Sequence, residues 1–234
     1  MVARAHHDLT GEAGVLLEAV TRALTAGPQE VAEAAQAAAP LGTTAAGLLP
    51  ALRAAVSEDA EPTIPQLDRD TAIATALWQI GGDAEGAVTI LASVLDRTVG
   101  NQLWYRWTVV RALRATALLG AAARPLVPRL EHLLVAPEKA PAAALALLAV
   151  TGPDDVDLGR LAEAALHSAD SAETGADVSG ACEALQALGA TALNTRRRRR
   201  VTELAEQDRR IVDSGLANSI IREDERLRAV LTAL

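Results

Sequence analysis

The chain has no phenylalanine, one tyrosine, one methionine, one cysteine and three tryptophans in 234 residues. Runs of β-branched and aromatic residues of strand length are missing, so a β-sandwich or barrel is excluded. The lone cysteine, Cys182, can form no intramolecular disulfide, which points to a reducing compartment. There is no Walker loop, Gly-x-Gly-x-x-Gly, Gly-x-Ser-x-Gly or His-Glu-x-x-His. The chain thus carries none of the motifs that mark phosphate binding, dinucleotide binding, acyl transfer or zinc hydrolysis, and the reading is not an enzyme and no cofactor. No apolar signal-peptide core occurs near the start. The longest uncharged stretch, Ala34 to Leu52, is mostly alanine and contains Pro40, Gly42, Gly47 and Pro50, which argues against a membrane span. The expected location is cytoplasmic.

Alanine and leucine supply most of an apolar content of 50%. Both are strong helix formers, and alanine lets helices approach closely. Basic residues are arginine except for Lys139, a usage that with so much alanine suggests a GC-rich, bacterial genome. Net charge is −8, unevenly distributed: residues 1–189 carry 12 basic and 23 acidic side chains, residues 190–234 carry 10 and 7. An acidic body disfavours broad contact with nucleic acid or anionic membrane.

One short phrase recurs, a glycine turn between two alanine- and leucine-rich segments. It reads Leu9-Thr10-Gly11, Leu41-Gly42, Ile80-Gly81-Gly82, Leu119-Gly120, Val150-Thr151-Gly152 and Leu188-Gly189. Aligned on residues 10, 42, 81, 120, 151 and 189, the turns are 32, 39, 39, 31 and 38 residues apart, the range of helical-repeat arrays. The turns alternate in type. Those at 10, 81 and 151 place a glycine second and are followed by an acid (Glu12, Asp83, Asp154), which suggests blocks of two repeats.

After Gly42, Gly81 and Gly120, apolar residues recur at offsets 3, 6, 7, 10 and 14, one face of a helix: Ala45 to Val56, Ala84 to Leu95, Ala123 to Leu134. Pro50 and Pro128 share offset 8 and should bend their helices. The partner helices before the turns are expected over Asp70 to Ile80, Trp104 to Leu119, Ala140 to Val150 and Val178 to Leu188. Polar or proline-bearing connections include Ser57 to Gln66 and Ser168 to Asp177.

The segments Ala76-Leu77-Trp78-Gln79-Ile80-Gly81-Gly82-Asp83-Ala84 and Leu119-Gly120-Ala121-Ala122-Ala123-Arg124-Pro125-Leu126-Val127-Pro128-Arg129-Leu130 resemble HEAT repeats, in particular the alanine-rich HEAT-like repeats of bacterial proteins. The family's Val-Arg pair is matched at Val110-Arg111. The resemblance implies an all-α fold, a right-handed α-solenoid of about six HEAT-like helix-turn-helix repeats. It would form one array over 1–234, with 190–234 as a C-terminal capping repeat. Val2 to Thr10 aligns with the end of a second helix, so the chain is expected to be the C-terminal part of a longer array.

Two places break the regularity. Trp104, Tyr105, Arg106 and Trp107, with Trp78, hold every aromatic side chain. They read either as core filler between central repeats or, with Arg111 and Arg114, as a partner-binding surface. The second place is Arg196, Arg197, Arg198, Arg199 and Arg200. Arg196 and Arg199 fall at offsets where other repeats are apolar, so this helix should have lost much of its inward stripe. The run is either a polar cap or an anion site. His6, His7, Asp8 and Glu12 are the densest set of metal-ligand types, but adjacent histidines diverge on a helix and no metal site is expected. The leading functional expectation is a non-enzymatic scaffold that binds a protein partner on the concave face of a solenoid. The resemblance also leaves open a HEAT-like DNA glycosylase or other nucleic-acid-binding repeat protein, which needs a basic face, and a lyase or chaperone-like protein acting on a partner protein.

Overall fold

The computed structural model describes residues 2–57, 59, 61–98, 106–170, 177–207 and 217–234, with backbone alone at 2 and 217–220. The described residues are helical and contain no strand. In chain order the helices are α1 (Val2–Thr10), α2 (Gly14–Ala23), α3 (Pro28–Ala38), α4 (Leu49–Ala54), α5 (Ile64–Gly81), α6 (Ala84–Arg97), α7 (Arg106–Leu119), α8 (Val127–Leu133), α9 (Ala140–Thr151), α10 (Leu158–Asp170), α11 (Val178–Leu188), α12 (Thr195–Glu206) and α13 (Ala217–Thr232). Three 3₁₀ segments, Ala39–Leu48, Gly120–Leu126 and Ala190–Ala192, precede α4, α8 and α12. Arg209 and Arg210 lie outside the described residues.

Each expected turn carries one left-handed glycine. Among the described residues the positive-φ positions are Gly11, Gly42, Gly82, Gly120, Gly152 and Gly189, and none is occupied by another residue type. The alternation is real at the backbone: the left-handed residue is the second of the turn pair at 11, 82 and 152, and the first at 42, 120 and 189. The first type leads into an α-helix (α2, α6, α10), the second into a 3₁₀ segment. Pro50 and Pro128 are each the second residue of an α-helix that continues directly from a 3₁₀ segment, α4 and α8, so both stand where the helical run changes type. α5 begins earlier than the pattern suggests because Thr63 and Gln66 form a capping box around Pro65, which sits in the first turn.

The chain divides into two compact units, residues 1–126 and 127–234. In the first, α5 is central: α3 and α7 flank it, and Ala39–Leu48, α4 and α6 pack across it. Its contacts are made by small side chains, with Ala35, Ala38, Ala74, Ala76 and Ala112 fully buried, while Leu52, Leu67, Leu91 and Leu113 fill the larger gaps. Burial of each such leucine is worth about 1.5–3 kcal/mol. In the second unit α9 is alanine- and leucine-rich all round and buried on most sides, as its sequence requires; α11 packs on it and α13 on α11, with α10 against α9 and α11 and α12 against α10 and α13.

The inward stripe of α12 is short, and it begins late in the helix. Asn194 caps the helix by accepting from the Arg197 N–H, which starts it five residues after Gly189. The buried positions become Val201 and Leu204. Cys182 is fully buried on α11, and burial pushes its thiol up to about 12, so it is a small core residue without nucleophilic character at neutral pH.

Candidate interaction surface

α7 has the sequence Arg-Trp-Thr-Val-Val-Arg-Ala-Leu-Arg-Ala-Thr-Ala-Leu-Leu. Thr108, Val109, Val110, Ala112, Leu113, Ala115, Thr116 and Leu119 are buried. The remaining face carries Trp107, Arg111, Arg114 and Leu118, spaced four, three and four residues apart, so they form one stripe along the helix. Trp107 is 59% exposed, Leu118 58%, and the Arg111 side chain 54%. The helix contains three arginines and no carboxylate.

Neighbouring side chains fix part of this stripe. The Arg106 guanidinium lies 4.7 Å from the centroid of the Trp107 ring, a cation–π contact. From α5, Asp68 accepts from the Thr108 hydroxyl at 3.0 Å and from the Arg111 guanidinium at 2.5 Å, tying the start of α7 to α5. Beside α7 the equivalent face of α5 is low, with Ala72 buried, Thr75 half-buried and Gln79 exposed; α3 exposes Glu33 and Gln36.

The expected partner-binding residues are therefore only partly brought together. Trp107, Arg111 and Arg114 share a face and Arg106 stacks on it. Trp104 and Tyr105 lie outside the described residues. Trp78 is half-buried near the end of α5, ten residues beyond Asp68, which is about 15 Å along the helix at 1.5 Å per residue. Sequence reasoning missed Leu118 and Asp68. Leu118 stands beside the inward Leu119 and is indistinguishable from it by type. Asp68 occupies the turn-relative position that Trp107 holds in the next repeat, a signal that was present in the alignment.

The arginine run is occupied by the chain itself. Arg197 reaches Glu163 at 3.3 Å, and Arg200 reaches Glu163 at 2.6 Å and also Asp170. Arg198 donates to the carbonyls of Ala190 and Leu234, and Arg199 pairs with Glu203 one turn on. Burial works against the Glu163 carboxylate, but Arg200 and Arg197 outweigh it and hold its carboxyl below the usual range. Arg196 is exposed. This arrangement is an ion-paired clamp between α12 and α10.

Two shallow grooves of about 420 and 670 Å³ adjoin Arg53 in the first unit. Arg53 is itself bound to Asp83, whose carboxyl is held low by that guanidinium and by the Gly86 N–H. Among the described residues no three His, Cys, Asp or Glu side chains converge as metal ligands do. No helix among them is long and apolar enough to cross a membrane. Compared with family models, with curated proteins and with solved structures, the chain matches none.

Proposed function

We propose that the chain is a non-enzymatic protein-interaction scaffold, a right-handed α-solenoid of about six HEAT-like repeats that offers the α3–α5–α7 face to a partner protein. The observation that carries this reading is the stripe of Trp107, Arg111, Arg114 and Leu118, exposed on a helix whose other faces are packed. Tryptophan and arginine are the residue types that dominate binding energy at protein interfaces, and an isolated solvated tryptophan contributes little to a fold. The six regularly spaced left-handed glycines support the repeat reading, because each repeat needs one chain reversal of the same kind.

Trp107→Ala separates a contact residue from a core residue. With the ring more than half exposed, the variant should melt within about 2 °C of the wild type, a surface effect of at most about 0.5 kcal/mol. Capture of the native partner from lysate should fall by roughly 30-fold, the loss of a hot spot of about 2 kcal/mol. Unchanged capture by the variant, or a large drop in melting temperature, defeats the proposal.

A further inference from the structure

We draw no further inference here: the strongest candidate, the outer face of α1, where Leu9 is 86% exposed although Ile80, Leu119, Val150 and Leu188 are buried at the equivalent place before their turns, is an unpartnered apolar patch, and nothing in the structure shows what covers it.

Discussion

Asp70 is the residue whose loss should cost the first unit most. It is fully buried on α5 and its carboxylate is saturated. One oxygen accepts from the Ser57 N–H at 3.0 Å and from two nitrogens of Arg69 at 3.1 Å; the other accepts from Arg97 at 3.2 Å. Arg97 also donates to the Asp59 carbonyl, so the network joins the end of α6, the start of α5 and the loop after α4. The side chains of Arg69 and Arg97 are only 13% and 17% exposed. Asp70→Ala therefore strands two mostly buried cations and one backbone N–H. Removing one partner of a buried ion pair costs about 3–5 kcal/mol. At about 2–4 °C per kcal/mol for a chain of this size, the melting temperature should fall by roughly 10 °C. Removing the whole network is different, since the desolvation cost disappears with the charges. Asp70→Leu combined with Arg69→Met and Arg97→Met should melt within about 4 °C of the wild type. Scanning calorimetry on the two variants decides the matter. A single variant within about 2 °C of wild type, or a triple variant as unstable as the single one, refutes the reasoning.

Other consequences follow from the turns, the clamp and the thiol. Gly82 is in the ordinary left-handed region (φ 64°, ψ 20°), which asparagine tolerates, whereas Gly152 (φ 84°, ψ 161°) is in a region open to glycine almost alone. In urea titrations Gly152→Asn should lose about 1–3 kcal/mol and Gly82→Asn less than about 1. The carboxyl of Glu163 is lowered in the fold, so its contribution is present above the unfolded value near about 4.3 and is lost as pH falls through the folded value. Melting should drop between about pH 5 and pH 3, and less steeply in Glu163→Gln, which starts lower at neutral pH; equal slopes would remove the clamp from the account. Cys182 should resist a thiol reagent at pH 8 in the native protein and react fully in denaturant, and rapid native labelling would show that it is not a core residue.

The repeat framework was legible because it is written in residue types that have no substitute. A chain reversal with positive φ favours glycine over every other residue type, so all six turns and their alternation appear in the sequence as they do in the backbone. The inward stripes were legible for a similar reason, since Ala87, Leu91, Ala123, Leu126 and Leu130 recur at fixed offsets and all are buried. Where the turn lengthens, as between Gly189 and the Asn194 cap, offsets counted from glycine do not find the buried positions: Arg196 and Arg199 hold the offsets that are apolar elsewhere and are exposed, while Val201 and Leu204 are buried. Ion pairs were not legible at all. Asp70–Arg97, Asp68–Arg111 and Glu163–Arg200 join residues 27 to 43 apart, and any of several exposed arginines fits each carboxylate by type.

The candidate site was half legible for a reason that bears on function. Packing constrains the inward positions of a repeat and leaves the outward ones free to vary. At one outward position, thirteen residues before the turn glycine, α3 has Gln29, α5 has Asp68 and α7 has Trp107. Gln29 there is exposed to solvent at no cost, and Asp68 is satisfied by Thr108 and Arg111. Tryptophan is neither: with 59% of it exposed, apolar surface remains in water at about 25 cal/mol per Å², and the fold gains little from keeping it. The same holds for Leu118, two residues before its turn, where α5 has Gln79. Two costly substitutions at the two ends of one seam, with arginines between them, are not what stacking alone would select. They are accounted for if that seam is covered in the working state, and Trp107→Ala is the variant in which the account is most exposed to failure.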